Sequence, residues 1–316
     1  MRAVQFDRYG SAAELCVSEC DRPRPADDEV MIEVVAASVN PLDIRIRRGD
    51  LRFITGRKFP KRVGVDVCGR IVERGSKVTS LLLGDEVYAL LPMLRGGALA
   101  DYVCVAANEV CIKPRNIDFA QAASVPLAAM TAFQALHKQA MIRSGQTVLI
   151  NGASGGVGHF AVQMAKNIGA NVIAVSHSSS ANFCKSIGAD SIISYDREDC
   201  IERVQECDVF FDVAGSKSKS AVAPILSPGG QYLTTLPSIT QMVFTNALNL
   251  FGNKKTRSVS VKRNASDLNA ISNLIERKAV NPRVDRIFDV SEIKDAHLLA
   301  ERGRIRGKIA VLVQAL

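Results

Sequence analysis

Tryptophan is absent from this 316-residue chain, aromatic residues amount to 5% and histidine occurs four times. Proteins that read single-stranded nucleic acid stack bases on aromatic rings, so nucleic acid is not expected as a partner. The histidines, at 137, 159, 177 and 297, are scattered, and no Ser/His/Asp or Cys/His nucleophilic set is apparent. No run approaches the roughly 18 apolar residues that would span a bilayer, so no membrane association is expected. The opening MRAVQFDRYG carries charges at Arg2, Asp7 and Arg8 and lacks the apolar core of a signal peptide. Eight cysteines are present, at 16, 20, 68, 104, 111, 184, 200 and 207, but no pair has C-x-x-C spacing. The pattern suits reduced thiols, and a cytoplasmic location is expected. What is present is ordinary for a globular chain, with 47% apolar and 23% charged residues, which excludes wholesale disorder. At roughly 150 residues per domain the length suits about two domains.

The first third reads as β-rich, with a β-branched run at Val30–Val39 followed by strands at Gly69–Arg74, Asp85–Ala89 and Leu99–Ala106. Residues Phe119–Ala140 are Ala-rich at helical spacing, with Pro126 suited to a first helical turn. From Thr147 the pattern becomes strand, glycine turn, helix. Strands are expected at Thr147–Asn151, Asn171–Ser176, Ser191–Tyr195, Asp208–Val213, Gln231–Leu236 and Ser258–Val261, with a helix at Gly156–Ile168. Helices at Asp267–Arg277 and Ser291–Glu301 and strands near Ile287–Val290 and Lys308–Val313 close the chain. This alternation predicts an α/β fold with a doubly wound parallel sheet of the Rossmann type. That domain, residues 120–261, is inserted into a β-rich domain made of 1–119 and 262–316.

The strongest motif joins the strand Val148–Asn151 to the next helix through Gly152-Ala-Ser154-Gly155-Gly156-Val157-Gly158. A tight turn without Cβ atoms lets the backbone approach a pyrophosphate, and the helix start offers unpaired N–H groups to it. Gly152, Ser154, Gly155, Gly156, Val157 and Gly158 are therefore cofactor-binding candidates. A carboxylate about 20 residues on would hold the 2′-hydroxyl of NAD. Here the second strand ends Ser176-His177-Ser178-Ser179-Ser180, with no acidic residue before Asp190. Hydroxyls at Ser176, Ser178 and Ser179 suit a 2′-phosphate, so NADPH is favoured, although no Lys or Arg lies in that loop. The serines also suit an N-cap.

These residues, together with Ala36-Ala-Ser-Val-Asn40-Pro-Leu-Asp43, Gly64-Val-Asp66-Val-Cys-Gly69 and Val125-Pro126-Leu-Ala-Ala-Met-Thr131, resemble the zinc-independent medium-chain dehydrogenase/reductases of the quinone oxidoreductase (zeta-crystallin-like) family. Ser227-Pro-Gly-Gly230 and Arg306-Gly307-Lys308 extend the resemblance over nearly the whole length. It implies a GroES-like β-rich domain owning both chain ends and hydride transfer from NADPH to a small-molecule quinone or an α,β-unsaturated carbonyl (enal or enone). It also implies a homodimer through the last strand of the nucleotide domain. By the same resemblance Asn40, Asp43 and Thr131 are the catalytic candidates, while Tyr195 and Lys308 join the cofactor contacts. Taken alone, Asn40-Pro41 also suits a turn, Asp43 an N-cap and Thr131 a buried helical hydroxyl. Zinc-bearing relatives would need a Gly-His-Glu triplet where Gly64-Val65-Asp66 stands, so no metal is expected. The tyrosine that many members carry after the Asn-Pro-x-Asp turn is missing, leaving Arg45, Arg47, Arg52 or water to donate a proton. An enoyl thioester or 2-alkenal reductase and an NADPH-linked RNA-binding protein are the alternatives.

The net charge of +8 is uneven. Residues 40–62 hold eight Lys/Arg against two Asp, and 251–316 hold fourteen against seven acidic residues, whereas the first 39 are acidic. A basic stretch beside the expected site would attract a phosphate-bearing cofactor.

Overall fold

In the computed structural model, which describes residues 1–235 and 254–314, the strands fall into two groups. The β-rich part supplies β1 (Arg2–Phe6), β2 (Cys16–Glu19), β3 (Glu29–Val39), β4 (Lys61–Arg62), β5 (Asp66–Arg74), β6 (Glu86–Leu90), β7 (Tyr102–Ala106) and β8 (Val110–Ile112). The alternating part supplies β9 (Thr147–Asn151), β10 (Asn171–Ser176), β11 (Ser191–Ser194), β12 (Cys207–Asp212), β13 (Leu226–Thr234) and β14 (Lys255–Ser258). β15 (Val284–Asp289) and β16 (Lys308–Leu312) return to the first group. The main helices are α1 (Pro41–Arg48), α2 (Phe119–Ala123), α3 (Pro126–Phe133), α4 (Gly156–Ile168), α5 (Ala181–Ser186), α6 (Ala265–Glu276) and α7 (Ile293–Arg302).

The chain divides into two units. One comprises Met1–Leu127, Arg263–Glu276 and Pro282–Leu316, the other Ala128–Lys262 and Arg277–Asn281. The first boundary falls eight residues later than the change of sequence texture suggests, because α2 packs on β3, β5 and β16 of the β-rich unit. The Ala-rich run breaks between α2 and α3, where Pro126 disfavours a helical Val125 and opens the next helix. Arg277–Asn281 goes with the other unit, where Asn281 exchanges two hydrogen bonds with Gln163 of α4.

In the β-rich unit a seven-stranded sheet runs β15-β16-β3-β5-β6-β8 with β7 on β3, and β2-β1-β4 form a smaller sheet. β3 is its spine, mostly buried along eleven residues because both faces are covered. Antiparallel registers set Ser38 of β3 opposite Asp66 of β5 and Ala310 of β16. In the other unit β11-β10-β9-β12-β13-β14 form a wholly parallel sheet. Leu149, Val175, Ile193, Phe210 and Tyr232 build its core. This is the doubly wound order, reversing direction at β9. β14 begins three residues before the expected Ser258–Val261, and the end of the expected strand Gln231–Leu236 lies outside the described residues.

One buried pair in the β-rich unit is charged in an unusual way. Arg47 of α1 is fully buried, donates to Gly10 O at 2.7 Å and pairs with Glu301 of α7, which also holds Arg48 at 3.1 Å. One turn away on α7, His297 is fully buried, and among the described residues neither ring nitrogen has a hydrogen-bond partner. Burial, with the Arg47 charge adding to it, holds the imidazole down at about 3 from an ordinary 6.5. His297 thus stays neutral when folded but takes up a proton when unfolded, so its contribution to stability is present above pH 6.5 and is lost as the pH falls toward 3. His297→Leu removes this loss. Between pH 7 and pH 5 the stability difference between variant and wild type shifts in the variant's favour by about 2 kcal/mol. Urea denaturation at the two pH values measures it, and an unchanged difference counts against the assignment.

Candidate active site

Each unit carries one group of the expected site residues. In the β-rich unit, the registers of β3, β5 and β16 bring Asn40, Asp66 and Lys308 together from distant parts of the chain. All three are almost fully buried. Lys308 Nζ points at Val39 O (3.2 Å), Asp66 Oδ2 (3.3 Å) and Asn40 Oδ1. Asp66 Oδ2 also accepts from Ser38 Oγ at 2.7 Å and Asn40 Nδ2 at 2.8 Å, while Oδ1 accepts from Leu127 N at 2.7 Å. The Asn40 amide is therefore clamped at both ends, its oxygen against an ammonium and one N–H against a carboxylate. Its second N–H has no partner among the described residues and is the donor the cluster can offer.

Asn40 also caps α1. Its backbone N–H donates to Asp43 Oδ2 at 2.8 Å, as the Asn-Pro-x-Asp spacing suits. Asp43 is buried, and burial pushes its carboxyl up to about 7, with the neighbouring Asp66 adding to the effect. Hydrogen bonds from Asn40 and Gly64 and the Lys308 charge act the other way. Asp43 is thus a positioning residue that holds the backbone of Asn40. Lys308, expected among the cofactor contacts, directs its ammonium at three acceptors inside the β-rich unit and so orders Asn40. Arg47 drops out of the proton-donor candidates because Gly10 and Glu301 hold it.

In the other unit, Gly152 adopts φ +88° at the carboxyl end of β9, and its N–H and that of Ala153 donate to Val175 O of β10, both at 3.0 Å. A Cβ on Gly158 would stand 2.1 Å from Gly152 O and 2.7 Å from Ala153 Cα, so only glycine fits there. α4 starts at Gly156 with Gly155 as N-cap and no side-chain cap. Ser154, Gly155, Gly156 and Val157 are partly exposed, so the uncapped first turn of the helix is accessible to a ligand. His159 is fully buried with Nδ1 3.0 Å from Gly155 O. Thr131 is buried on α3 in this unit.

The serine corner differs from expectation. Ser176 is buried, its hydroxyl 3.3 Å from His177 O, and the Ser179 hydroxyl is 3.0 Å from His177 Nδ1. Ser178 gives its N–H to Asp196 Oδ1 at 2.8 Å and its hydroxyl to Asp196 Oδ2 at 2.7 Å. Tyr195, exposed at the end of β11, donates its N–H to Ser176 O at 3.0 Å, and its ring lies 5.8 Å from that of His177. A carboxylate is therefore present at the end of β10, though it comes from beyond β11. Asp212, at the end of β12, is another residue the sequence reading missed. It accepts from Asn151 Nδ2 and from the N–H groups of Gly215 and Lys217, fixing the loop beside the glycine turn. An Asp ending an apolar strand just before a glycine is the signal for it.

Residues 26–115 match the alcohol dehydrogenase GroES-like domain and residues 187–311 the zinc-binding dehydrogenase domain. A chloroplastic quinone-oxidoreductase homolog of Spinacia oleracea is 33% identical over 98% of this chain and 98% of its own length. The chain belongs to the quinone oxidoreductase family of medium-chain dehydrogenase/reductases. The chloroplastic NADPH-dependent alkenal/one oxidoreductase of Arabidopsis thaliana is 34% identical over 98% of this chain and 79% of its own. Among solved structures, the quinone oxidoreductase from Coxiella burnetii superposes with a TM-score of 0.92 at 30% identity, covering 99% of both chains. The two curated relatives are chloroplastic, which overturns the cytoplasmic expectation. Free thiols report a reducing surrounding and not which compartment provides it.

The description of the matched C-terminal domain includes zinc, and the residues of this family member do not fit the ion. Asp66, at the position of the zinc-bearing relatives' triplet, already faces the Lys308 ammonium. Among the described residues no three His, Cys, Asp or Glu stand together as ligands.

Asp43 yields a pH test. Its proton is held more tightly in the folded than in the unfolded chain, so the stability it adds is full below pH 3.8 and is lost as the pH rises through about 7. Asp43→Asn removes that loss. From pH 5 to pH 8 the variant gains about 2–3 kcal/mol relative to wild type in urea denaturation; a constant difference would refute the buried, proton-holding Asp43.

Proposed function

We propose that this chain is a zinc-independent reductase that passes hydride from NAD(P)H to a quinone or an α,β-unsaturated carbonyl. The observation that carries the reading is the glycine turn at the switch point of the parallel sheet, where Gly158 admits no side chain and α4 begins uncapped. Gly152, Ser154, Gly155, Gly156, Val157 and Gly158 would hold the pyrophosphate, and Tyr195 would border the adenine end. Bound there, the nucleotide supplies the hydride. An acceptor that took up this hydride and a proton from solvent would become a hydroquinone or a saturated carbonyl.

The remaining work asked of the protein is modest. A quinone or enone spreads the negative charge that hydride addition leaves on oxygen, so a preorganised hydrogen-bond donor suffices where a metal would otherwise act. Asn40 is the residue for this role. The Asp66–Lys308 clamp fixes its amide plane before substrate arrives, and Thr131 stands as the candidate donor to the nicotinamide. Nothing among the described residues favours the thioester or RNA-binding alternatives over this reading.

The test is steady-state oxidation of both reduced nucleotides with a panel of quinones and enals. Turnover is expected, and Asn40→Ala is expected to lower kcat about a hundredfold while nucleotide affinity stays within about twofold. Nucleotide binding without turnover of any acceptor would overturn the proposal. We also propose a homodimer through the edge strand β14, whose outer side has no paired strand among the described residues. Sedimentation equilibrium should give twice the chain mass; a monomer at all concentrations rejects this.

A further inference from the structure

Resting on the reading above, we propose that Asp196 makes this reductase selective for NADH over NADPH. In a doubly wound sheet the dinucleotide runs from the turn after β9 across the carboxyl end of β10, where the adenosine ribose lies. Here that end is the corner made by Ser176, His177 and Ser178, joined to the turn through Val175 O. Asp196 enters this corner from beyond β11. Its two oxygens accept the N–H and hydroxyl of Ser178, and Oδ2 lies 3.7 Å from His177 Nε2.

Two consequences follow for a 2′-phosphate. The Ser178 donors that would have met it are directed at a carboxylate, and the carboxylate itself repels a second anion within hydrogen-bond reach. Hydrogen bonds from Ser178 also hold the Asp196 carboxyl below its usual range, so it is charged at neutral pH. A 2′-hydroxyl meets the opposite situation. Each Asp196 oxygen accepts one Ser178 donor and keeps a further lone pair, to which the hydroxyl can donate. The loop from Ser176 to Ser180 contains no Lys or Arg that would compensate. Arg197, the next residue after Asp196, is exposed and is the one basic neighbour in sequence that needs to be tested separately.

The experiment is calorimetric titration of the full chain with NADH and NADPH, for wild type, Asp196→Asn, Asp196→Ser and Arg197→Ala. Asp196→Asn retains acceptor capacity toward Ser178 while removing the charge, and thermal unfolding of each variant checks that the fold is kept. Wild type is expected to bind NADH at least tenfold more tightly than NADPH. Both Asp196 variants are expected to narrow or reverse that ratio by tenfold or more, chiefly by gaining NADPH affinity, and Arg197→Ala is expected to leave the preference for NADH in place. Tighter NADPH binding by wild type, or a ratio unmoved in Asp196→Asn and Asp196→Ser, overturns the selectivity. Binding of neither nucleotide by folded wild type overturns the oxidoreductase reading as well, so the two failures are distinguishable.

Discussion

The buried pair between Lys308 and Asp66 is the constraint on which the β-rich unit depends. Removing one partner of such a pair leaves an uncompensated charge and costs about 3–5 kcal/mol, whereas the intact pair adds little net stability. Its value is geometric. An ammonium with three protons and three fixed acceptors permits one arrangement of β3, β5 and β16, since a slip of one residue would turn Asp66 or Lys308 to the opposite face of the sheet. The same arrangement sets the plane of the Asn40 amide. Strand register and side-chain orientation are thus fixed by one interaction, and a donor clamped in this way needs no reorganisation when charge develops on an acceptor.

The nucleotide unit reaches a comparable rigidity with backbone instead of charge. Gly158 brings α4 against the Gly152 carbonyl at a distance no Cβ permits, and Asp212 gathers the N–H groups of the neighbouring loop. Side chains are nearly absent from the turn, so its specificity is for a shape and a charge. Selection among nucleotides has to come from the ends of the neighbouring strands.

Much of this fold is legible in the sequence where the signal is local. Thr147–Asn151, Gly156–Ile168 and Asn171–Ser176 form the elements their periodicity implies, because β-branched runs and a glycine turn fix both type and boundary. β14 is displaced because Lys255–Ser258 is a polar edge strand and lacks the apolar pattern that a central strand shows. Lys308 and Asp66 stand 242 residues apart, and no local pattern tells that they meet. Asp196 was hidden for a related reason. A carboxylate sought along the chain just after β10 is missing, yet the parallel return through α5 and β11 brings one to the same corner. Ordinary sequence spacing has no access to such a substitution of one strand end for another.

The uneven charge bears on the same point. Of the basic residues in 40–62, Arg47 and Arg48 share Glu301, so the stretch offers less field than its count suggests. Whatever field remains acts on any phosphate-bearing ligand and, at physiological ionic strength, fades over about 8 Å. NADPH carries more negative charge than NADH, so a basic surface alone would favour it. Discrimination in the other direction requires a negative group inside that screening length and in contact with the one position where the two nucleotides differ. Asp196, held against Ser178 by two hydrogen bonds, is the group proposed here for that role.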